Sequence, residues 1–119
     1  MTKEIDFVMP YGVTMRGKGD MVPEIVGEHE KKVNVVAIAL PAGPCRIAAS
    51  WDGPQSVTIR VYSGGRFRSV IAEIPSGGGV RSIMVSYGAV QGDWVQMGTS
   101  ATATQDQRGT LEVYPLAAG

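Results

Sequence analysis

One cysteine and one histidine in 119 residues remove whole classes of chemistry before any motif is considered. A lone thiol, Cys45, cannot form an internal disulfide, so the staple of small secreted folds is missing. A lone imidazole, His29, has no second histidine to share a metal with. Its neighbours Glu28 and Glu30 point the opposite way from it in extended chain, so the three do not converge on one ion without a tight turn. Those carboxylates also favour the charged imidazole over the free base that nucleophilic catalysis requires.

Other absences narrow the reading further. No window approaches the roughly 18 apolar residues of a membrane-spanning helix. The opening "MTKEIDFVMP" lacks the continuous apolar core of a signal peptide, and the chain is expected to be soluble and cytosolic at synthesis. Eleven basic and eleven acidic residues cancel, against a nucleic-acid or membrane-surface partner held by bulk charge and in favour of association. Sixteen glycines and seven prolines leave almost no room for a helix of ordinary length. No G-x-S-x-G elbow occurs, "GKGDMV" lacks the third glycine of a dinucleotide loop, and "GGGVRS" runs into a strand. The turn aspartates Asp52, Asp93 and Asp106 lack the dense oxygen ligands of a calcium loop. Cys45 reads as a small core residue, although the adjacent Arg46 would lower its pKa. No enzyme and no cofactor are expected.

What is present is β pattern. "VNVVAIALP" (33–41) is a nearly continuous apolar run, read as a strand buried on both faces. "CRIAASW" (45–51) follows. "SVTIRVY" (56–62) alternates cleanly, with Val57, Ile59 and Val61 on one side and Thr58, Arg60 and Tyr62 on the other. The pair Gly64-Gly65 marks a hairpin turn into "RFRSVIAEI" (66–74). "VRSIMVSYGAV" (80–90), "WVQMGTSAT" (94–102) and, after a turn at 105–109, "TLEVYPL" (110–116) complete the series, with Leu111 and Val113 inward. With "KEIDFVM" (3–9) the count is about eight strands at the short spacing of an antiparallel sandwich or barrel. The fold expected is all-β, a jelly-roll-like antiparallel β-sandwich over residues 33–119 preceded by a strand and an extended N-terminal arm over residues 1–32.

The arm is the irregular part. "PYGVTMRGKGDMVPE" (10–24) follows no period, yet it is too apolar for a linker or a disordered tract. Four of the six methionines fall within the first 21 residues, and methionine adapts well to irregular partner surfaces. Two arrangements fit: the segment folds back over its own sandwich, or it docks on a neighbouring subunit. In the second case a protein lacking residues 1–27 folds but no longer assembles.

Beyond residue 32 there is no lysine, and all six cations are arginine. Four of them, Arg60, Arg66, Arg68 and Arg81, fall between residues 60 and 81, and arginine is the cation preferred at protein interfaces. Expected interface residues are Phe7, Met9, Tyr11, Met15 and Met21 from the arm with those four arginines from the body. Trp51, Trp94, Tyr62 and Tyr87 fit either core packing or a sugar-stacking platform.

An N-terminal arm, "MTKEIDFVMPYGVTMRGKGDMVPEI", followed by a compact sandwich from "VNVVAIALPAGPCRIAASW" to "GTLEVYPLAAG", resembles the small decoration, or cement, proteins of tailed-phage capsids. The resemblance implies a non-enzymatic virion protein on the capsid surface, made in the host cytoplasm. It implies homotrimers or other clusters bonded to the major capsid protein, with no nucleic acid and no membrane as partner. The body "LPAGPCRIAASWDGPQSVTIRVY" also resembles carbohydrate-binding β-sandwich modules, which gives the alternative function.

Overall fold

In Lys3–Met9 (β1) the apolar residues Ile5, Phe7 and Met9 alternate along the chain, and all three are buried. The computed structural model describes residues 3–15, 31–32 (backbone only), 36–64 and 66–116. After β1 come β2 (Lys31–Lys32), β3 (Val36–Ala39), β4 (Gly43–Trp51), β5 (Val57–Ser63), β6 (Arg66–Ile74), β7 (Arg81–Ala89), β8 (Asp93–Gly98) and β9 (Gln107–Pro115). No helix occurs among the described residues. The strands form two sheets, ordered β2-β1-β9-β4-β7 and β3-β8-β5-β6. All ladders are antiparallel apart from the short parallel pairing of β1 with β2.

Four of the ladders nest. β5 pairs with β6, β4 with β7, β3 with β8 and β1 with β9, each enclosing the one before. The chain therefore behaves as one long hairpin folded at Gly64 (φ +60°) and rolled up so that its ladders fall alternately in the two sheets. That is the jelly-roll form of β-sandwich, and the expected fold class is what the structure shows.

Alternation fixes which side chains meet between the sheets. Ile5, Ile47, Leu111 and Val113 from the first sheet face Ile38, Ile59, Val95 and Met97 from the second, all essentially inaccessible. Within the first sheet Phe7 (β1), Gly109 (β9) and Trp51 (β4) form one inward row. Strands lie about 4.8 Å apart, so two rings separated by one strand start nearly 10 Å from each other. With no side chain on Gly109 they close to 6.1 Å between centroids, 21° from parallel.

Two boundaries differ from the sequence reading. β8 stops at Gly98, because the following segment turns to receive residues 12–15: Thr99 N–H donates to the Met15 carbonyl (2.8 Å), Ala103 N–H to that of Val13 (2.9 Å) and Gly12 N–H to that of Ala103 (2.8 Å). β9 starts at Gln107, inside the expected 105–109 turn, because Gly109 is a strand residue that makes room for two rings.

Candidate functional site

The N-terminal segment is anchored at home as far as residue 15. β1 lies between β2 and β9, and Phe7, Met9 and Met15 belong to the protomer's own core. These three residues, expected at an interface, offer it no surface, since their alternation is satisfied by the two sheets they lie between. Tyr11 is different: its backbone N–H bonds to Asp106 Oδ1 at 3.1 Å while its residue stays 73% exposed. Met21 and the Glu28-His29-Glu30 cluster lie outside the described residues. Among the described residues no group of three or more metal-ligating side chains converges.

The turn aspartates hold backbone. Asp52 Oδ1 accepts the Arg108 N–H at 2.7 Å, Asp106 serves Tyr11 as above, and Asp93 Oδ2 accepts the Val90 N–H at 3.0 Å. Trp51 is fully buried against Phe7 and presents no ring to a ligand. Trp94 does lie opposite Tyr62, which lies opposite Phe67, across β8, β5 and β6. Of these Tyr62 is itself buried and stands edge-on to Phe67 at 5.8 Å.

The four arginines separate by role. Arg81, at the start of β7, donates from Nη1 to the Pro75 carbonyl at 2.7 Å and from Nη2 to the Gly53 carbonyl, clamping two loops together. Arg60 is half-buried on β5, between Gln96 and Val70 of the neighbouring strands. Arg66 is exposed at the start of β6. Arg68 is an extra residue in β6, left over where Val61 pairs with Ser69 and Tyr62 with Phe67. Such a bulge re-aims its side chain, and Arg68 Nη1 reaches the buried Asp93 Oδ2 at 3.5 Å, half exposed itself. The Tyr87 hydroxyl donates to the same oxygen at 3.4 Å.

These contacts show how the two edge strands run. The first part of β6 meets the end of β7 through Arg68, Asp93 and Tyr87, and the Pro75–Arg81 bond joins the end of β6 to the start of β7. β6 and β7 therefore run antiparallel along one flank, each the last strand of its sheet. Of the exposed large apolar residues, Phe67 and Val70 lie on β6, Met84 on β7, and Val80 and Val90 immediately beside the ends of β7. Their exposures run from 51% to 76%. Met84 lies on the outer face of the first sheet and Val70, opposite Arg60, on that of the second, so these residues border the flank from two faces. Phe67 and Val70 on β6, with Arg66 and Arg68 on the same strand, are the part of it that resembles an interaction surface. Neither the methionines nor the glycines pointed to it, because exposure of Phe67 and Met84 depends on which strands end each sheet.

Behind the flank sits Cys45, a free, buried thiol whose Sγ contacts the Tyr87 carbonyl at 3.5 Å. Burial first, and then the Asp93 charge, push its pKa up. That reverses the lowering expected from Arg46, which is exposed on the opposite face of β4. The Tyr87 phenol is raised as well, by burial first and then by Asp93, with a smaller opposing effect of Arg68. Both groups are acids held neutral in the fold. The unfolded chain ionises first as pH rises, so stability is full below the ordinary thiol range and declines from roughly pH 8.5 upward. Melting temperature measured against pH is expected to fall through that range, and to start falling later in Cys45→Ala. Iodoacetamide is expected to leave native Cys45 unmodified at neutral pH and to alkylate it in denaturant.

The class defined by this architecture is the jelly-roll β-sandwich. Compared with known proteins, the chain matches no family model, no curated protein and no solved structure.

Proposed function

We propose that the chain is a non-enzymatic structural protein that decorates and stabilises a virion capsid, docking through the edges of its β-sandwich on neighbouring subunits. The observation that carries this reading is the β6 edge, where Phe67 and Val70 are exposed on the same strand as Arg66 and Arg68. Docking there removes apolar area from water at about 25 cal/mol per Å². Repetition over a lattice multiplies a contact that is modest in one copy. Residues 3–15 of the arm are committed to the protomer and residues 16–30 lie outside the described residues, so the reading rests on the sandwich edge.

The test is co-sedimentation with tailed-phage heads stripped of their surface proteins. The wild-type protein is expected to pellet with the heads, and Phe67→Ser/Val70→Ser to remain in the supernatant while melting within a few degrees of wild type. A wild-type protein that ignores the heads but binds a glycan array, with binding lost in Trp94→Ala, would move the assignment to the carbohydrate-binding alternative.

A further inference from the structure

A β-sandwich that stays single must protect its sheet edges, because an edge strand presents a row of unpaired N–H and C=O groups. Two of its edge strands, β6 and β7, run for nine described residues each. β6 is protected, because its ladder with β5 is broken by two register shifts, leaving Arg68 and Ile71 as extra residues, and it carries Arg66, Arg68 and Glu73. Bulges and charges are the usual devices against edge pairing.

β7 has neither. All nine of its residues pair with β4 without a register shift, so its free side is straight. From Ser82 to Ala89 the sequence "SIMVSYGA" holds no charge, and Arg81 is engaged with the Pro75 and Gly53 carbonyls. Its outward residues Ser82, Met84, Ser86 and Gly88 are all exposed. Its inward residues Ile83, Val85 and Tyr87 are only partly buried against the core.

We propose that β7 is the seam of a two-fold homodimer, pairing antiparallel with β7 of a second copy about Val85. This rests on the flank being an assembly surface, and it names the partner there as the chain itself. Antiparallel partners must share a face, which restricts the axis to a residue and not to a gap between two. Val85 is the midpoint of Arg81–Ala89, so all nine residues find partners. Ile83 then faces the copy's Tyr87, Met84 the copy's Ser86, and Val85 its own equivalent. No like charges oppose each other along the seam. The ladder adds about eight to ten main-chain hydrogen bonds over roughly 30 Å.

The neighbouring strand supplies charge complementarity. β6 runs antiparallel to β7 along the flank, so the same axis directs the Arg66–Arg68 end of one β6 toward the Glu73 end of its copy. A pair of this kind uses one patch twice and closes at two copies. A trimer, the state implied by the resemblance to decoration proteins, would have to be built from another surface.

Sedimentation velocity over micromolar concentrations is expected to give twice the 12.6 kDa protomer mass. Val85→Lys places two ammonium groups opposite each other on the axis and is expected to sediment as a monomer. A folding defect in that variant is separated from lost pairing by Val85→Cys, which is expected to form a disulfide-linked dimer in air, because directly opposed residues of an antiparallel pair have Cα atoms about 4.5–5.5 Å apart, within the span a disulfide bridges. A monomeric or trimeric wild type, or a Val85→Lys protein that keeps the doubled mass, overturns the pairing. A monomer that still pellets with capsid heads would sink the dimer alone. A dimer that ignores the heads would sink the capsid reading alone.

Discussion

A protein that begins at residue 16 is expected not to fold. The deletion takes away β1, which pairs with β9 from Lys3↔Val113 to Met9↔Gln107, and it empties four core positions, Ile5, Phe7, Met9 and Met15. Losing a buried Phe side chain alone costs about 3–5 kcal/mol, and an Ile or Met about 2–5. A domain of this size has only about 5–15 kcal/mol of net stability. Circular dichroism of the truncated protein should show no cooperative melt. Of the two arrangements the sequence allows, the segment folded back over its own sandwich agrees with loss of folding, whereas the docked arm requires the opposite for removal of residues 1–27, a folded domain unable to assemble. A sharp thermal transition in the truncated protein would restore that view and refute the placement of β1 as an inner strand.

The second large effect is expected at a glycine. Gly109 lies inside β9, and a Cβ there would meet the Phe7 ring at 2.5 and 3.0 Å and the Ser50 carbonyl oxygen at 2.8 Å. The ring is stacked on Trp51 and the carbonyl belongs to the adjacent strand, so moving the one disturbs the aromatic pair and moving the other disturbs a ladder. Gly109→Ala is expected to lose about 3 kcal/mol, at the upper end of overpacking costs, read as a lowered urea midpoint. Combining it with Phe7→Leu should recover part of that loss and not all, because the ring is relieved while the Ser50 oxygen stays. Full recovery would mean the backbone contact is immaterial. A Gly109→Ala protein as stable as wild type would show that the aromatic row does not depend on the missing side chain.

Much of the fold was legible because its strands alternate. Val57, Ile59 and Val61 are buried as their period-two spacing requires, and so are Leu111 and Val113. β6 occupies Arg66–Ile74, the stretch read from "RFRSVIAEI". Alternation says which side chains point together, but not which strands become neighbours. It could not show that β1 would be enclosed between two strands, so Phe7 and Met9 were assigned to a partner. Nor could it show that β6 and β7 would end their sheets, the fact that leaves Phe67 and Met84 in solvent. The part Arg81 plays inside the protomer is illegible in the sequence for a related reason. Its two carbonyl partners, Pro75 and Gly53, lie in loops brought together only by the sandwich. The aspartates read as turn markers are at turns, and their function there is to hold backbone N–H groups from distant segments.

The nesting of the ladders sets a schedule for biosynthesis. The β5–β6 hairpin can close soon after its strands leave the ribosome, but Lys3 waits for Val113, the longest separation of paired residues among those described. At about 5–20 residues per second, roughly 100 residues of translation take about 5–20 s. Throughout that interval β1, with Ile5, Phe7 and Met9 uncovered, has no β9 to join. Nascent chains stalled before residue 107 should therefore be protease-sensitive at β1, and Ile5, Phe7 and Met9 need shelter until β9 has been made.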